Sequence, residues 1–203
     1  AMCYLLAVHV PTAGMAFVPL VFGWPIAFFP VHIVFLEFVI DPACSIAFEA
    51  EPSEADAMRR GPRARGEPLF GFGMVLLSIL QGLSVLLMVA LMYGYVLLQG
   101  AGETEARAMA FTTIVFGNLG LILANRSRTG LIMHTLRRPN RALWWVVGGT
   151  LAGVALVLYV PYLRDLFRFA PLHGEDLAIC FAAALAGLVW FELYKLRLAR
   201  RSA

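Results

Sequence analysis

Charge is scarce in these 203 residues: Asp, Glu, Lys and Arg together make up 14%, against roughly a quarter in ordinary soluble domains. That shortage excludes a soluble globular domain. There is one lysine, Lys195, beside 15 arginines, and there are three cysteines, Cys3, Cys44 and Cys180. The cysteines sit in apolar stretches, too far apart for a zinc or redox spacing, so no disulfide framework is read and each is expected to be a small buried hydrophobe. The net charge of +3 does not point to nucleic acid, because the cations do not gather on a soluble face. The long apolar runs lack period-two alternation, which argues against membrane strands. No positively charged leader or cleavage site precedes the first apolar run. No internal repeat is evident, which leaves an inverted-repeat transporter built from this chain alone without support.

What is present is apolar surface: 61% of the residues belong to the AVILMFWYC set. That is too much for disorder, and the solvent it calls for is lipid. Runs of 18 or more apolar residues cross a bilayer as helices, since about 20 residues at 1.5 Å each span a core of roughly 30 Å. Six such spans are predicted, over about 2–22, 28–48, 70–98, 107–124, 142–160 and 176–195. The fold class is therefore an all-α, polytopic membrane helix bundle occupying residues 1–203 as one domain. The chain starts at Ala1 and enters the first span at once, which reads as a piece of a longer product.

The breaks between spans differ in charge, and the positive-inside rule turns that into topology. Arg59, Arg60, Arg63 and Arg65 lie in the second break, and Arg126, Arg128, Arg137, Arg138 and Arg141 lie in the fourth. Lys195, Arg197, Arg200 and Arg201 form the tail, so 13 of the 16 cations fall on one side. Only Arg107, Arg164 and Arg168 fall on the other. Both termini are expected in the cytoplasm. Glu49 to Leu69 reads as a solvated cytoplasmic connection, and Tyr162 to Glu175 as a short segment lying at the outer interface. Glu49 and Glu192, near cytoplasmic ends, are expected to be solvated.

Two acids stand where a membrane helix does not tolerate them without a partner. Glu37 and Asp41 sit near the middle of the second span, four residues apart and so on one helix face. On insertion scales each costs about 2.5–3.5 kcal/mol at the helix centre, so both must face a partner, water or a cation. Pro42 lacks an N–H and frees the carbonyl of Phe38. Anionic oxygens beside loose carbonyls suit a hard cation. The alternative is that one acid is structural glue or is protonated by desolvation. In the first span Pro11 frees the carbonyl of Ala7, while His9 and Thr12, three residues apart, read either as part of the ion path or as hydrogen-bonded spacers. Asn118 in the fourth span either adds an amide oxygen or bonds helix to helix. Gln81, Ser84 and the glycines from Gly149 to Gly153 read as packing features.

The segment from Pro30 to Pro52, with Glu37-Phe-Val-Ile-Asp41-Pro42 followed by Phe48-Glu-Ala-Glu-Pro52, resembles the sixth transmembrane helix of P-type cation-transporting ATPases of the calcium-pump-like branch. Met58-Arg-Arg-Gly-Pro-Arg63 with Glu67-Pro-Leu69 resembles the family's next loop, with Gly61-Pro62 in place of a double Pro. Tyr159-Val-Pro161, Leu166-Phe167 and Pro171-Leu172 resemble its loop between helices nine and ten. The likeness covers essentially the whole chain as helices five to ten, beginning inside helix five. It implies that Glu37 and Asp41 are cation-ligating positions, with Glu37 standing where animal-type calcium pumps usually have Asn. The family's helix-five Asn-Val-Gly-Glu falls on His9-Val10-Pro11-Thr12, without the acid, and its helix-eight Glu falls on Asn118. A second ion site is therefore not carried over.

The resemblance further implies ATP-driven transport through an aspartyl-phosphate intermediate. This sequence holds no Asp-Lys-Thr-Gly-Thr motif and no nucleotide or actuator domain. It is not expected to hydrolyse ATP alone, and ATP and Mg would act through domains absent from it. The expected cargo is a divalent cation, calcium first and magnesium or manganese next, with protons left open. The expected partners are the lipid bilayer and the remaining helices and cytoplasmic domains of the same pump, in the plasma membrane, with no nucleic acid. The rival readings are a non-enzymatic membrane subunit or passive channel with an acid-lined path, and a structural bundle left from a truncated gene.

Overall fold

A backbone in hydrocarbon must pair its own N–H and C=O groups, and this chain does so with helices. The computed structural model describes residues 2–51, 71–126 and 140–201, with no strand among them. In order they form α1 (Met2–Phe22), α2 (Pro30–Pro42) running into a five-residue π turn (Ala43–Ala47), α3 (Phe72–Leu98), α4 (Glu103–Asn125), α5 (Arg141–Tyr159), the short α6 (Pro161–Phe167) and α7 (Gly174–Arg201). Six of these units are long and apolar enough to cross a membrane. The arginines at 59–65, 128, 137 and 138 and the family-like motifs at 58–63 and 67–69 lie outside the described residues.

Consecutive spans run up and down, so α1 starts and α7 finishes at one end of the bundle, here the proximal end. The turns from α1 to α2, α3 to α4 and α5 to α7 form the distal end. The central post is α4, 78% of whose span is buried, against 28–35% for the others. It packs on α3 and α7, and α1 lies along α3. Phe111, Ile114, Val115, Leu121 and Ile122 of α4 are fully buried among these neighbours.

The expected boundaries need three adjustments. The fourth helix begins at Glu103 rather than Arg107, because Gly102 adopts an extended N-cap conformation and Glu103 and Glu105 suit a helix N-terminus. That lengthening makes Arg107 a buried residue. The second span changes pitch after Pro42, where the N–H of Phe48 bonds the carbonyl of Ala43 five residues back at 3.1 Å. The last helix runs on to Arg201.

Three side chains refine the sequence reading. In the segment read as lying at the outer interface, Phe167 and Phe169 are buried against the bundle, and Arg168 between them takes a left-handed φ of 51° that turns the chain after α6. Cys180 is buried as expected, whereas Cys3 is only half-buried at the start of α1. Glu192 is only partly exposed rather than freely solvated. It pairs at 3.1 Å with Lys195, which is buried and donates to the carbonyl of Ala124 at 2.5 Å, meeting an acceptor that α4's own last turn leaves open. Glu49 is exposed, as read from the sequence.

Close helix approach fixes α1 on α3. A Cβ on Gly82 would lie 2.4 Å from the carbonyl oxygen of Ala7 and 2.6 Å from the Cβ of Val10, and neither can swing away. The Gly82→Ala protein is therefore expected to lose about 1–3 kcal/mol of stability from overpacking. Gly148→Ala meets nothing within 4 Å and is expected to be neutral or to gain up to about 1 kcal/mol from helix propensity. Thermal unfolding of the two variants in detergent checks the contrast; equal midpoints would contradict this contact.

Candidate functional site

The two acids of α2 occupy one exposed stripe, together with Val34 and Phe38. Opposite them, α1 presents a stripe of His9, Ala13, Phe17 and Leu20. The stripes meet at His9 and Glu37, whose Nε2 and Oε1 lie 3.9 Å apart with the side chains 50% and 41% exposed. Nδ1 of His9 is 2.7 Å from the carbonyl of Leu5, one turn back on its own helix. A proton on Nδ1 donated there orients the ring and leaves Nε2 facing the carboxylate. Asp41 lies one turn beyond Glu37 on the same stripe and is exposed.

Asp41 also stands where the helix changes geometry. Pro42 cannot donate to Phe38, and the hydroxyl of Ser45 donates to the carbonyl of Asp41 at 2.6 Å. Backbone oxygens around Asp41 are thus held partly by a side chain rather than by a regular ladder. The groove between α2 and α5 borders this stripe at Phe38 and runs on past it: Phe38, Pro42, Ile46, Trp145 and Thr150 help line it, and neither acid does.

The other sequence candidates are placed differently. Thr12 is buried, with its hydroxyl bonded to the carbonyl of Val8 at 3.2 Å, so it turns away from His9. Three residues advance about 300° around a helix, which leaves the two side chains some 60° apart; here that is the difference between inside and outside. The Ala7 carbonyl freed by Pro11 faces Gly82 of α3 rather than an ion path. Asn118 is completely buried in α4, and among the described residues neither its amide oxygen nor its nitrogen has a hydrogen-bond partner. Among the described residues no group of three or more His, Cys, Asp or Glu is placed to hold a metal ion. His9, Glu37 and Asp41 lie along facing, uncovered stripes of α1 and α2 and do not close a cage.

Two residues not picked out from the sequence tie the start of α2 and the turn before it to the rest of the bundle. His32, one turn into α2, accepts from the backbone N–H of Phe29 through Nδ1 at 2.7 Å, which leaves Nε2 to donate to the carbonyl of Phe167 at 2.9 Å. Phe28, Phe111, Phe167 and Phe169 surround its ring. Arg107 of α4 donates to the carbonyls of Ile26, Ala27 and Arg168 at 3.0–3.1 Å, and its guanidinium lies 4.8 Å from the ring centre of Phe29. It joins the α1–α2 turn to the α6–α7 turn. A cation inside an apolar span is a signal by itself, and Arg107 could have been singled out on that ground. The carbonyls it serves could not.

Residues 25–197 match the family described as "Cation transporting ATPase, C-terminus". The chain belongs to that family. As a cation-transporting ATPase C-terminal part, it contains Glu37, Asp41 and Asn118 within the matched range, while His9 and Thr12 precede it. It is 28% identical over 167 residues to a "Calcium-transporting ATPase type 2C member 2" of Mus musculus, covering 81% of this chain and 18% of that protein. It is also 28% identical to calcium-transporting ATPases of Lactococcus lactis, over 177 residues with 87% and 20% covered, and of Listeria monocytogenes, over 201 residues with 96% and 22% covered. The chain spans about a fifth of the length of these relatives. The family match and the six apolar helices make this cation-transporting ATPase part an integral, multi-pass membrane protein.

Proposed function

We propose that this chain is the carboxyl-terminal membrane part of an ATP-driven calcium pump, in which Glu37 and Asp41 supply one side of the intramembrane cation site. The observation that carries the proposal is the pairing of both acids on one uncovered stripe of α2, beside His9 and immediately before the break at Pro42. Carboxylates at that depth need a compensating charge, and two of them neutralise a divalent ion. His9 stands behind Glu37 and steadies its carboxylate. Asn118, buried and without a hydrogen-bond partner among the described residues, supplies a further oxygen when helices rearrange. Thr12 has its hydroxyl committed to Val8 one turn back in α1 and reaches the ion only if that bond is released.

The uncovered stripe accepts the remaining helices of the same pump, which complete the cage. ATP and its Mg ion act on domains that carry the phosphorylation motif, and movements there change the access and affinity of the site. The cation-rich proximal end faces the cytoplasm of a plasma-membrane protein by the positive-inside rule. The nature of the relatives supports calcium, since those described above are named for calcium transport.

A metal panel on ATP hydrolysis by the full-length protein in membrane vesicles tests this. Calcium is expected to stimulate hydrolysis at the lowest concentration, with manganese next and magnesium acting only as the partner of ATP. Hydrolysis that none of calcium, manganese or magnesium changes, beyond the need for Mg-ATP, would overturn the assignment.

A further inference from the structure

The proximal end of α2 is tied by a knot of three polar side chains from three separate elements. Glu51, just beyond the π turn, receives both arms of the Arg126 guanidinium: Nε donates to Oε2 at 2.8 Å and Nη2 to Oε1 at 3.1 Å. The Arg126 side chain is 2% exposed and that of Glu51 12%, so this fork is shielded from water. Arg126 directly follows the central post α4. The third member is Asn140, the N-cap of α5, whose Oδ1 accepts from the N–H of Leu143 at 2.9 Å. That bond fixes the amide's orientation and aims its two N–H groups at the end of the π turn. Nδ2 donates to the carbonyl of Ala47 and to Oε2 of Glu51, both at 2.9 Å.

Asp41 stands just before this turn and Asn140 grips its last residue. In between, Ser45 holds the carbonyl of Asp41 and Phe48 holds that of Ala43. A π turn has poorer hydrogen-bond geometry than an α turn and relaxes readily to another pitch, and a one-residue change of register at Ala43–Ala47 would rotate the segment relative to Asp41. Asn140 and the Glu51–Arg126 fork oppose that change by fixing the far end of the turn to the two helices α4 and α5.

We propose that Glu51, Arg126 and Asn140 are positioning residues for the cation site: they hold the wide turn behind Asp41 in register, so that its carboxylate and neighbouring carbonyls are arranged for a dehydrated divalent ion. None of the three touches the ion. This inference rests on the reading of Asp41 as a ligand given above. The bidentate geometry makes Arg rather than Lys the residue that suits position 126, because an ammonium cannot serve both carboxylate oxygens along fixed parallel directions.

The test uses the full-length protein in membrane vesicles, with the calcium concentration that half-saturates ATP hydrolysis measured separately from the maximal rate and from the half-saturating ATP concentration. Asn140→Asp keeps the helix cap but replaces the donors with an oxygen facing Glu51; Glu51→Gln removes the charge; Arg126→Lys keeps the charge and loses the fork. The half-saturating calcium is expected to rise by about ten-fold or more in the first two, the usual scale for residues that orient metal ligands, and by less in Arg126→Lys. The ATP requirement is expected to be unchanged. Arg126→Lys is the mildest change and keeps the proposal open to refutation even where the other variants fail to accumulate. Wild-type calcium dependence in the variants that accumulate, whatever their maximal rate, overturns the proposal. Asp41→Asn measured alongside separates the two ideas: if it keeps normal calcium dependence, the site reading fails and this inference with it, whereas if it loses that dependence while the knot variants keep theirs, only this inference fails.

Discussion

Asp41→Asn in the full-length protein is expected to abolish calcium-stimulated ATP hydrolysis at calcium concentrations that saturate the wild type. The amide preserves the shape of the side chain and one oxygen, so the helix and the bond from Ser45 to the Asp41 carbonyl have no reason to change. What is lost is one negative charge, which the proposed site, once the other helices cover the stripe, holds in a low-dielectric setting. At an effective dielectric constant of 20, a unit charge pair at 4 Å is worth about 4 kcal/mol, which corresponds to roughly three orders of magnitude in affinity. A divalent ion feels the loss more strongly still. Glu49→Gln provides the comparison, because Glu49 is an exposed acid eight residues further on, past the π turn, and its removal is expected to leave calcium dependence unchanged. Normal half-saturation in Asp41→Asn would remove the central residue of the proposed site.

The parts of this molecule that can be read from its sequence are those governed by local rules. Six apolar runs become six spans because lipid leaves a backbone almost no alternative, and the first coincides to the residue with α1, Met2–Phe22. Glu37 and Asp41 are visible because an intramembrane acid is costly wherever it sits. The start of α4 lies earlier than hydropathy places it, since its first turn is acidic and apolar content alone does not favour it. Pairings across long stretches of chain are not legible at all. His32 and Phe167 are 135 residues apart, Glu51 and Arg126 75, and Lys195 and Ala124 71. No periodicity connects them, and several of their acceptors are backbone carbonyls that every residue possesses. The divergence of His9 and Thr12 shows a second limit. A spacing of three places two residues near one face, but where α3 covers part of that face, a small angular offset decides which residue is buried.

Arg107→Ala is expected to produce the largest loss of stability among single substitutions at the distal end. The guanidinium is 3% exposed and serves three carbonyls, those of Ile26, Ala27 and Arg168, with Glu103 at 3.8 Å and the Phe29 ring beneath it. Truncation leaves those acceptors without their donor in a site that already excludes water. At about 1–3 kcal/mol for each acceptor left unsatisfied, reduced by partial relaxation, the total is about 3–5 kcal/mol. For a chain of this size, each kcal/mol lowers the midpoint of thermal unfolding by about 2–4 °C, so a fall on the order of 10 °C is expected. Arg107→Lys retains the charge but replaces the planar fork with a single ammonium, and it is expected to recover about half the loss. Arg164→Ala removes a half-buried cation at the same end whose only described ion-pair contact is the exposed Asp165 at 3.8 Å; its effect is expected to be within about 1 kcal/mol. The measurement is thermal unfolding in detergent for all three variants, with equal midpoints for Arg107→Ala and the wild type as the contrary result. The same contacts reach the two helices that carry His9 and Glu37: Ile26 and Ala27 join α1 to α2, so Arg107 ties down the turn between them.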